Sequence, residues 1–150
     1  MRKDVTDDFA VVARILDDAE VLFLALVDAE GPYCVPVNFA RQGRALLVHS
    51  SRRGRKAAAL ASGADVGYSA VADMAYRSGP TACKQGYRFR SVIGAGRPRA
   101  LADGEHLAAL RAITAKYAGA DNDLPLDAAT AAKTAVFAVD ITSATARIKD

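Results

Sequence analysis

Four cations fall within five residues at Arg52, Arg53, Arg55 and Lys56, and the segment about Gly54–Ser62 reads as a short helix closed by Ser62-Gly63. A helix N-terminus carries roughly half a positive charge, so each cation there costs a few tenths of a kcal/mol. Nothing in folding explains why the chain collects them. A bound phosphate reverses the sign of every one of those terms, because free N–H groups and cations then converge on one anion. Ser50 and Ser51 add hydroxyl donors just before the cluster, and Gly54 lets backbone come close to a ligand. A solvated basic loop is the other reading of the same residues.

A second irregularity is Pro36 in Cys34-Val35-Pro36-Val37-Asn38. Proline cannot donate to a ladder, so the strand is interrupted there or lies at a sheet edge. An interruption frees backbone groups of Val35, Val37 and Asn38 to meet a planar ligand, whereas an edge proline needs no ligand at all. His49 precedes Ser50 directly and is the first side chain to test as a proton carrier; the only other histidine is His106. These two with Cys34 and Cys83 show no metal-ligand spacing, so no metal site is expected. Gly94-Ala95-Gly96 is followed by Arg97-Pro98-Arg99 and opens no helix, which excludes a dinucleotide fingerprint. No nucleophile elbow, Walker loop or paired-carboxylate arrangement is present.

The elements that must position these residues follow from periodicity. Thr6 reads as an N-cap, with a helix over 6–19 carrying Val5, Phe9, Val12 and Leu16 at helical spacing. Val21–Val27 is a continuous apolar run and reads as a strand buried on both faces. Pro32–Ala40 and Arg44–Ser50 complete a three-stranded antiparallel meander. Val66–Val71 is a strand, Ala75–Gly86 a loop, and Tyr87–Leu101 a long strand bent or bulged near Gly94 and Gly96. Asp103 caps a helix with Leu107, Leu110, Ile113 or Thr114, and Tyr117 on one face, closing at Gly119. Thr134–Thr142 alternates as a last strand. About six strands with peripheral helices imply a mainly β, closed or nearly closed barrel in one domain over 1–150.

Net charge is only +3, but its distribution is uneven. No acidic residue lies between Gly31 and Ala64, or between Met74 and Ala102, and these stretches hold twelve of the 20 basic residues. Such segregation implies an anionic partner, a phosphate ligand or a nucleic acid. No apolar run approaches the roughly 20 residues of a membrane span. Met1-Arg2-Lys3-Asp4 leads into an acidic amphipathic stretch, not an apolar signal region, so a cytoplasmic chain with two free thiols is expected.

Three segments together resemble a known family: Tyr33-Cys34-Val35-Pro36-Val37-Asn38; Leu46-Leu47-Val48-His49-Ser50-Ser51 with Gly54-Arg55-Lys56; and Tyr87-Arg88-Phe89-Arg90-Ser91-Val92-Ile93-Gly94-Ala95-Gly96. In order and spacing they are similar to the FMN-binding split barrels, and within them to the Nim-type, nitroimidazole-resistance-related branch of the pyridoxamine 5′-phosphate oxidase-like superfamily. The resemblance covers roughly residues 9–142 and implies an antiparallel six-stranded split β-barrel forming a homodimer, with two FMN sites at the subunit interface. It implies that Pro36, Val37 and Asn38 line the isoalloxazine; by its own chemistry the Asn38 amide suits a flavin pyrimidine edge or, equally, a turn cap. It puts His49, Ser50, Ser51, Arg55 and Lys56 around the phosphate, with His49 near enough to the ring to be catalytic. Arg90 and Ser91 would approach the flavin from the other subunit.

The sequence ends at Arg147-Ile148-Lys149-Asp150 without the C-terminal substrate-phosphate arm of true pyridoxamine phosphate oxidases, so that activity is not expected. Nor is there a tryptophan to stack on the ring. The expected function is an FMN-dependent oxidoreductase that takes electrons from a nicotinamide reductant and reduces a small acceptor, such as a nitro-compound. Two rivals are a flavin- or haem-binding module without turnover, in which His49 is an axial ligand, and a nucleic-acid-binding protein that uses Tyr87 and Phe89 beside Arg88 and Arg90.

Overall fold

The computed structural model describes residues 4–150, the side chain of Asp103 excepted. Val5–Thr6 (β1) is a short strand against the end of Thr134–Lys149 (β8), so Thr6 is not the helix cap expected from its type. The first helix, α1 (Phe9–Asp18), is capped instead by Asp8, whose carboxylate accepts from the Ala10 N–H at 2.8 Å. Its Val12, Ile15 and Leu16 close one end of the core.

The main sheet runs β3 (Gly31–Val37), β2 (Leu22–Asp28), β6 (Val66–Arg77), β7 (Gly86–Ala100), β8, β5 (Ala45–Ser51), β4 (Phe39–Gln42), antiparallel throughout. With β1 there are eight strands, two more than expected. The single strand read as Pro32–Ala40 is two strands that meet at Asn38 and occupy the two ends of the sheet. The expected meander is therefore wrong in its middle: β3 pairs only with β2, β4 only with β5. The sheet is not closed: β3 and β4 are its two ends, joined by the chain at Asn38 with no ladder between them.

Leu22, Leu24 and Leu26 point into the core while Phe23, Ala25 and Val27 face outward and are exposed, so β2 is not buried on both faces. Two-faced burial occurs at β5 and β8, where Leu46, Val48, Phe137 and Val139 fill the barrel while Leu47, Val136 and Ala138 pack under α3 (Asp103–Ala118). That helix buries His106, Ala109 and Ile113; of the expected stripe Ile113 is buried and Leu110 half-buried, while Leu107 and Tyr117 are exposed. His106 Nε2 donates to the Thr134 carbonyl at 2.8 Å, which explains its burial. The N-cap position of α3 is Ala102, and the expected Asp103 cap lies outside the described side chains.

Two strands outrun their sequence signal. β6 continues to Arg77, through what reads as a loop, and the connection that remains holds a 3-10 turn at Ala82–Lys84. β8 continues to Lys149. A short helix α4 (Ala128–Lys133), capped by Asp127, has no sequence counterpart above; α2 (Arg55–Ala61) matches its expected place. The register shift of β7 against β8 falls at Ala95/Gly96, as the paired glycines suggested. Gly94 is required there because an added Cβ would lie 2.2 Å from the Ser143 carbonyl oxygen and 2.5 Å from Tyr68 Oη. Cys34 and Cys83 are free and exposed. Among the described residues no helix is long and apolar enough to cross a membrane.

Candidate functional site at the seam of the barrel

Where the chain passes from β3 to β4 the backbone loses its ladder, and α3 supplies what is missing. The Phe39 N–H donates to Tyr117 Oη at 3.1 Å, and the same hydroxyl donates to the Glu20 carbonyl at 2.7 Å. Beside it the Lys116 ammonium donates to the Leu16 carbonyl at 2.9 Å and sits 3.5 Å from the centroid of the Phe39 ring. Asn38 is left exposed in a groove of about 490 Å³ lined by Asp17, Asp18, Glu20, Lys116 and Tyr117. Burial lowers the Lys116 amine to about 8, against the opposing pull of Asp17 and Asp18. Tyr117 reads in the sequence as a packing residue and Lys116 carries no signal; their partners lie far away in the chain.

Pro36 lies on the edge strand opposite Phe23 and faces outward, which is the edge-proline reading. Val37 is buried, with its side chain in the core. These two can therefore offer a ligand an outer apolar surface and backbone respectively, and only Asn38 offers a free polar side chain.

The end of β5 and the start of α2 lie along the same seam. Residue 38 adjoins Phe39, which pairs with Val48, the neighbour of His49. His49 is exposed; partial burial, then the charge of Lys56, hold its imidazole below the ordinary range, so it is neutral at pH 7. The Lys56 ammonium donates to the His49 carbonyl at 3.3 Å, and burial lowers its pKa. Ser50 is buried and Ser51 Oγ donates to the Arg53 carbonyl. Gly54, at φ of +107°, opens α2 in a conformation that L-residues rarely adopt, and a Cβ there would meet nothing within 4 Å.

The four cations of the cluster separate into different roles. Arg55 grips the β2–β3 turn: Nε donates to Asp28 Oδ2 at 2.6 Å, and Nη2 to Asp28 Oδ1 at 2.8 Å and to the Gly31 carbonyl at 3.0 Å. The hydrogen bond from Arg55 is the main cause that holds the Asp28 carboxyl below its usual range. The Arg55 guanidinium also lies 4.1 Å over the Tyr33 ring. Arg52 donates to the Ala132 carbonyl at 2.6 Å. Arg53 and Lys56 keep donors in reserve, Arg53 having no side-chain partner among the described residues. Tyr33, which heads the Tyr33–Asn38 segment but carries no assigned role from the sequence, has a buried hydroxyl without a hydrogen-bond partner among the described residues.

Arg90 and Ser91 are not in contact with the His49–Lys56 group. Their partners on β8 are Ile148 and Arg147, at the opposite end of that strand from Val136, the partner of His49. Arg90 is clamped by Asp73 and by Asp18, the latter at 2.8 Å, and so adjoins the Asn38 groove. Asp73 occupies the left-handed region, φ 53°, at the β6 register shift. One chain thus sets His49, Ser50, Ser51 and Lys56 at the end of β5 and the start of α2, turns Arg55 to Asp28, leaves Asn38 in its own groove one residue from the Phe39–Val48 pair, and keeps Arg90 and Ser91 at the other end of β8.

A family model described as pyridoxamine 5′-phosphate oxidase matches residues 8–148. No curated protein matches the chain. Among solved structures, a candidate 5-nitroimidazole antibiotic resistance protein from Bacteroides thetaiotaomicron superposes with a TM-score of 0.81 at 23% identity, over 96% of this chain and 86% of that one. An FAD- and haem-binding protein from Mycobacterium smegmatis gives 0.87 at 22% identity, over 99% and 74%. The flavocytochrome Anf3 from Azotobacter vinelandii gives 0.86 at 22%, over 100% and 72%.

Proposed function

The chain belongs to the pyridoxamine 5′-phosphate oxidase family, and from that premise we propose that it is an FMN-binding oxidoreductase whose flavin lies along the Asn38–His49 seam. The observation that carries this reading is Lys56. Its ammonium makes one hydrogen bond, to the His49 carbonyl, at a helix start whose glycine leaves open space, with the unpaired Arg53 three residues before it. Those are donors that an anion can use. The residues present fit the phosphate of the flavin in this respect, with one revision to their roles. Arg55 is committed to Asp28 and positions the helix start, so the direct contacts fall to Lys56, Arg53, Ser50 and Ser51.

Bound flavin supplies the redox chemistry, and the protein's part is anchoring, orientation and tuning. Asn38 holds the pyrimidine edge, Pro36 and Val37 flank the ring, and His49, neutral at pH 7, is the group able to take up a proton. A second copy of the chain supplies Arg90 and Ser91, because one copy keeps them away from His49. A nicotinamide is the reductant, and a small acceptor such as a nitro-compound is the substrate. A haem reading rests on the same histidine, since a neutral, exposed imidazole is also a competent axial ligand, and two of the structural neighbours bear flavin and haem names.

One absorption spectrum of the purified protein, before and after addition of FMN, FAD or haemin, decides between these. Paired flavin bands with preference for FMN are expected. A Soret band shifted by His49→Ala supports haem, and a protein that takes up none of the three refutes both readings.

A further inference from the structure

The chain between α3 and α4 doubles back on itself. Gly119 ends α3 at a φ of +94°, its N–H donating to the Ala115 carbonyl at 2.9 Å. Asn122 completes the turn, its backbone N–H and its Nδ2 both donating to the Gly119 carbonyl. Residues 120–126 then run back as a strap along one flank of α3, that of Arg111, Thr114 and Ala115, spaced i, i+3 and i+4. Between helix and strap lies a cavity of about 180 Å³, walled on the strap side by Asn122, Leu124 and Leu126. It lies on the flank of α3 away from Lys116 and shares no residue with the Asn38 groove.

The polar atoms of its walls are of two kinds. Arg111 has no ion pair or hydrogen bond among the described residues, although Asp121 and Asp123 stand on the same strap. Its guanidinium donors are therefore uncommitted. Asn122 commits its Nδ2 to Gly119, and Thr114 its hydroxyl proton to the Leu110 carbonyl at 3.0 Å. That leaves Asn122 Oδ1 and the Thr114 oxygen as acceptors. The rest of the wall is apolar, and Leu124 is 55% exposed, so an apolar guest gains by covering it.

One cation, two acceptors and an apolar wall in so small a space define a ligand. A guanidinium takes a carboxylate through two parallel N–H···O bonds. A dianionic phosphate is opposed by Asp121 and Asp123, with a single arginine to hold it. The two acceptors call for a donor on the ligand, and the leucines for an apolar body. The cavity is smaller than the roughly 300 Å³ at which pockets for drug-sized ligands begin, so that body is one ring or a short branched chain. We propose that this cavity binds small hydroxy-carboxylic acids, Arg111 holding the carboxylate and Asn122 or Thr114 accepting from the hydroxyl. None of these residues takes part in the flavin reading above, and neither conclusion depends on the other.

Titration of the isotope-labelled full chain with para-hydroxybenzoate, followed by amide NMR, tests this. Saturable shifts confined to α3 and the strap are expected, complete by about 10 mM. Arg111→Gln replaces an exposed side chain that has no partner to lose; it should keep the far-UV dichroism and weaken binding at least about tenfold. Benzoate, which lacks the donor, should bind about fivefold more weakly, and para-hydroxybenzamide, which lacks the charge, about tenfold more weakly. Inorganic phosphate should give no saturable shift at Leu124. The proposal is overturned if para-hydroxybenzoate gives no saturable shift, if Arg111→Gln binds it unchanged, or if the amide matches it. Benzoate that binds as tightly refutes the hydroxyl contact and with it the ligand class. Phosphate that moves the same amides as strongly reduces the site to a bare surface cation. Shifts at Asn38 or His49 in place of the strap put the acid at the seam and refute this site.

Discussion

At the scale of single residues, the basic cluster shows how identical charges are given different work by their neighbours. Arg55 and Lys56 are adjacent in sequence, yet Arg55 is held by a carboxylate at the far end of β2, and Lys56 rests on a carbonyl of β5. That Arg55 is a structural clasp was not legible in the sequence, because Asp28 looks like any turn residue until the hairpin brings it to the helix start. That the cluster is unfavourable for folding alone was legible from the dipole term, which left a phosphate site and a solvated basic loop both open. The different roles predict different phenotypes. Lys56→Ala should weaken FMN binding by about 1.5–3 kcal/mol, the range for a charged hydrogen bond, and leave riboflavin binding unchanged. Arg55→Ala should loosen the β2–β3 turn and lower affinity for both ligands together. Isothermal titration of the two flavins against both variants checks this; equal loss of both ligands in Lys56→Ala would remove the phosphate from the argument.

At the scale of elements, the seam at Asn38 depends on α3. Strands, the α2 helix and the bulge at Gly96 were readable from period and composition, since each is a local pattern. The split of one apparent strand between the two ends of the sheet was not, because Pro36 signals an interruption or an edge without saying which, and the break at Asn38 is imposed by what each half pairs with. The two-faced burial expected of β2 belongs to β5 and β8 for the same reason: apolar content tells that a face is covered, not by what. Tyr117 is the element-level tie, receiving the Phe39 N–H and donating to the Glu20 carbonyl. Tyr117→Phe removes both bonds and strands a backbone donor where the chain crosses from β3 to β4 without a ladder. A loss of about 1–3 kcal/mol is expected, measurable by urea denaturation, with amide exchange at Phe39 accelerated more than exchange in β7. A loss of stability without that local change would mean that the seam is held by something other than α3.

At the scale of the whole molecule, the same helix makes stability depend on pH in an unusual direction. Lys116 is enclosed by Leu16, Phe39 and Asp17 and Asp18, with Arg41 also acting on it, and burial brings its pKa from 10.5 to about 8. The unfolded chain keeps the proton up to its ordinary value, so between these two limits the unfolded state binds more protons than the folded one. Stability contributed by this group therefore rises as pH climbs from about 8 toward 10.5, and the penalty for burying the ammonium is fully present below that window. Most lysines, exposed or salt-bridged, would give no trend or the opposite one. Lys116→Met preserves the aliphatic stem over Phe39 while deleting the charge, and it should flatten the trend in denaturation midpoints taken across that window. Because Lys116 and Tyr117 clamp one crossing from a single helical turn, the variant should also test whether the seam stays closed once the ammonium's hydrogen bond to Leu16 is gone. If the barrel holds through Tyr117 alone, amide exchange at Phe39 will be unchanged while the pH trend vanishes.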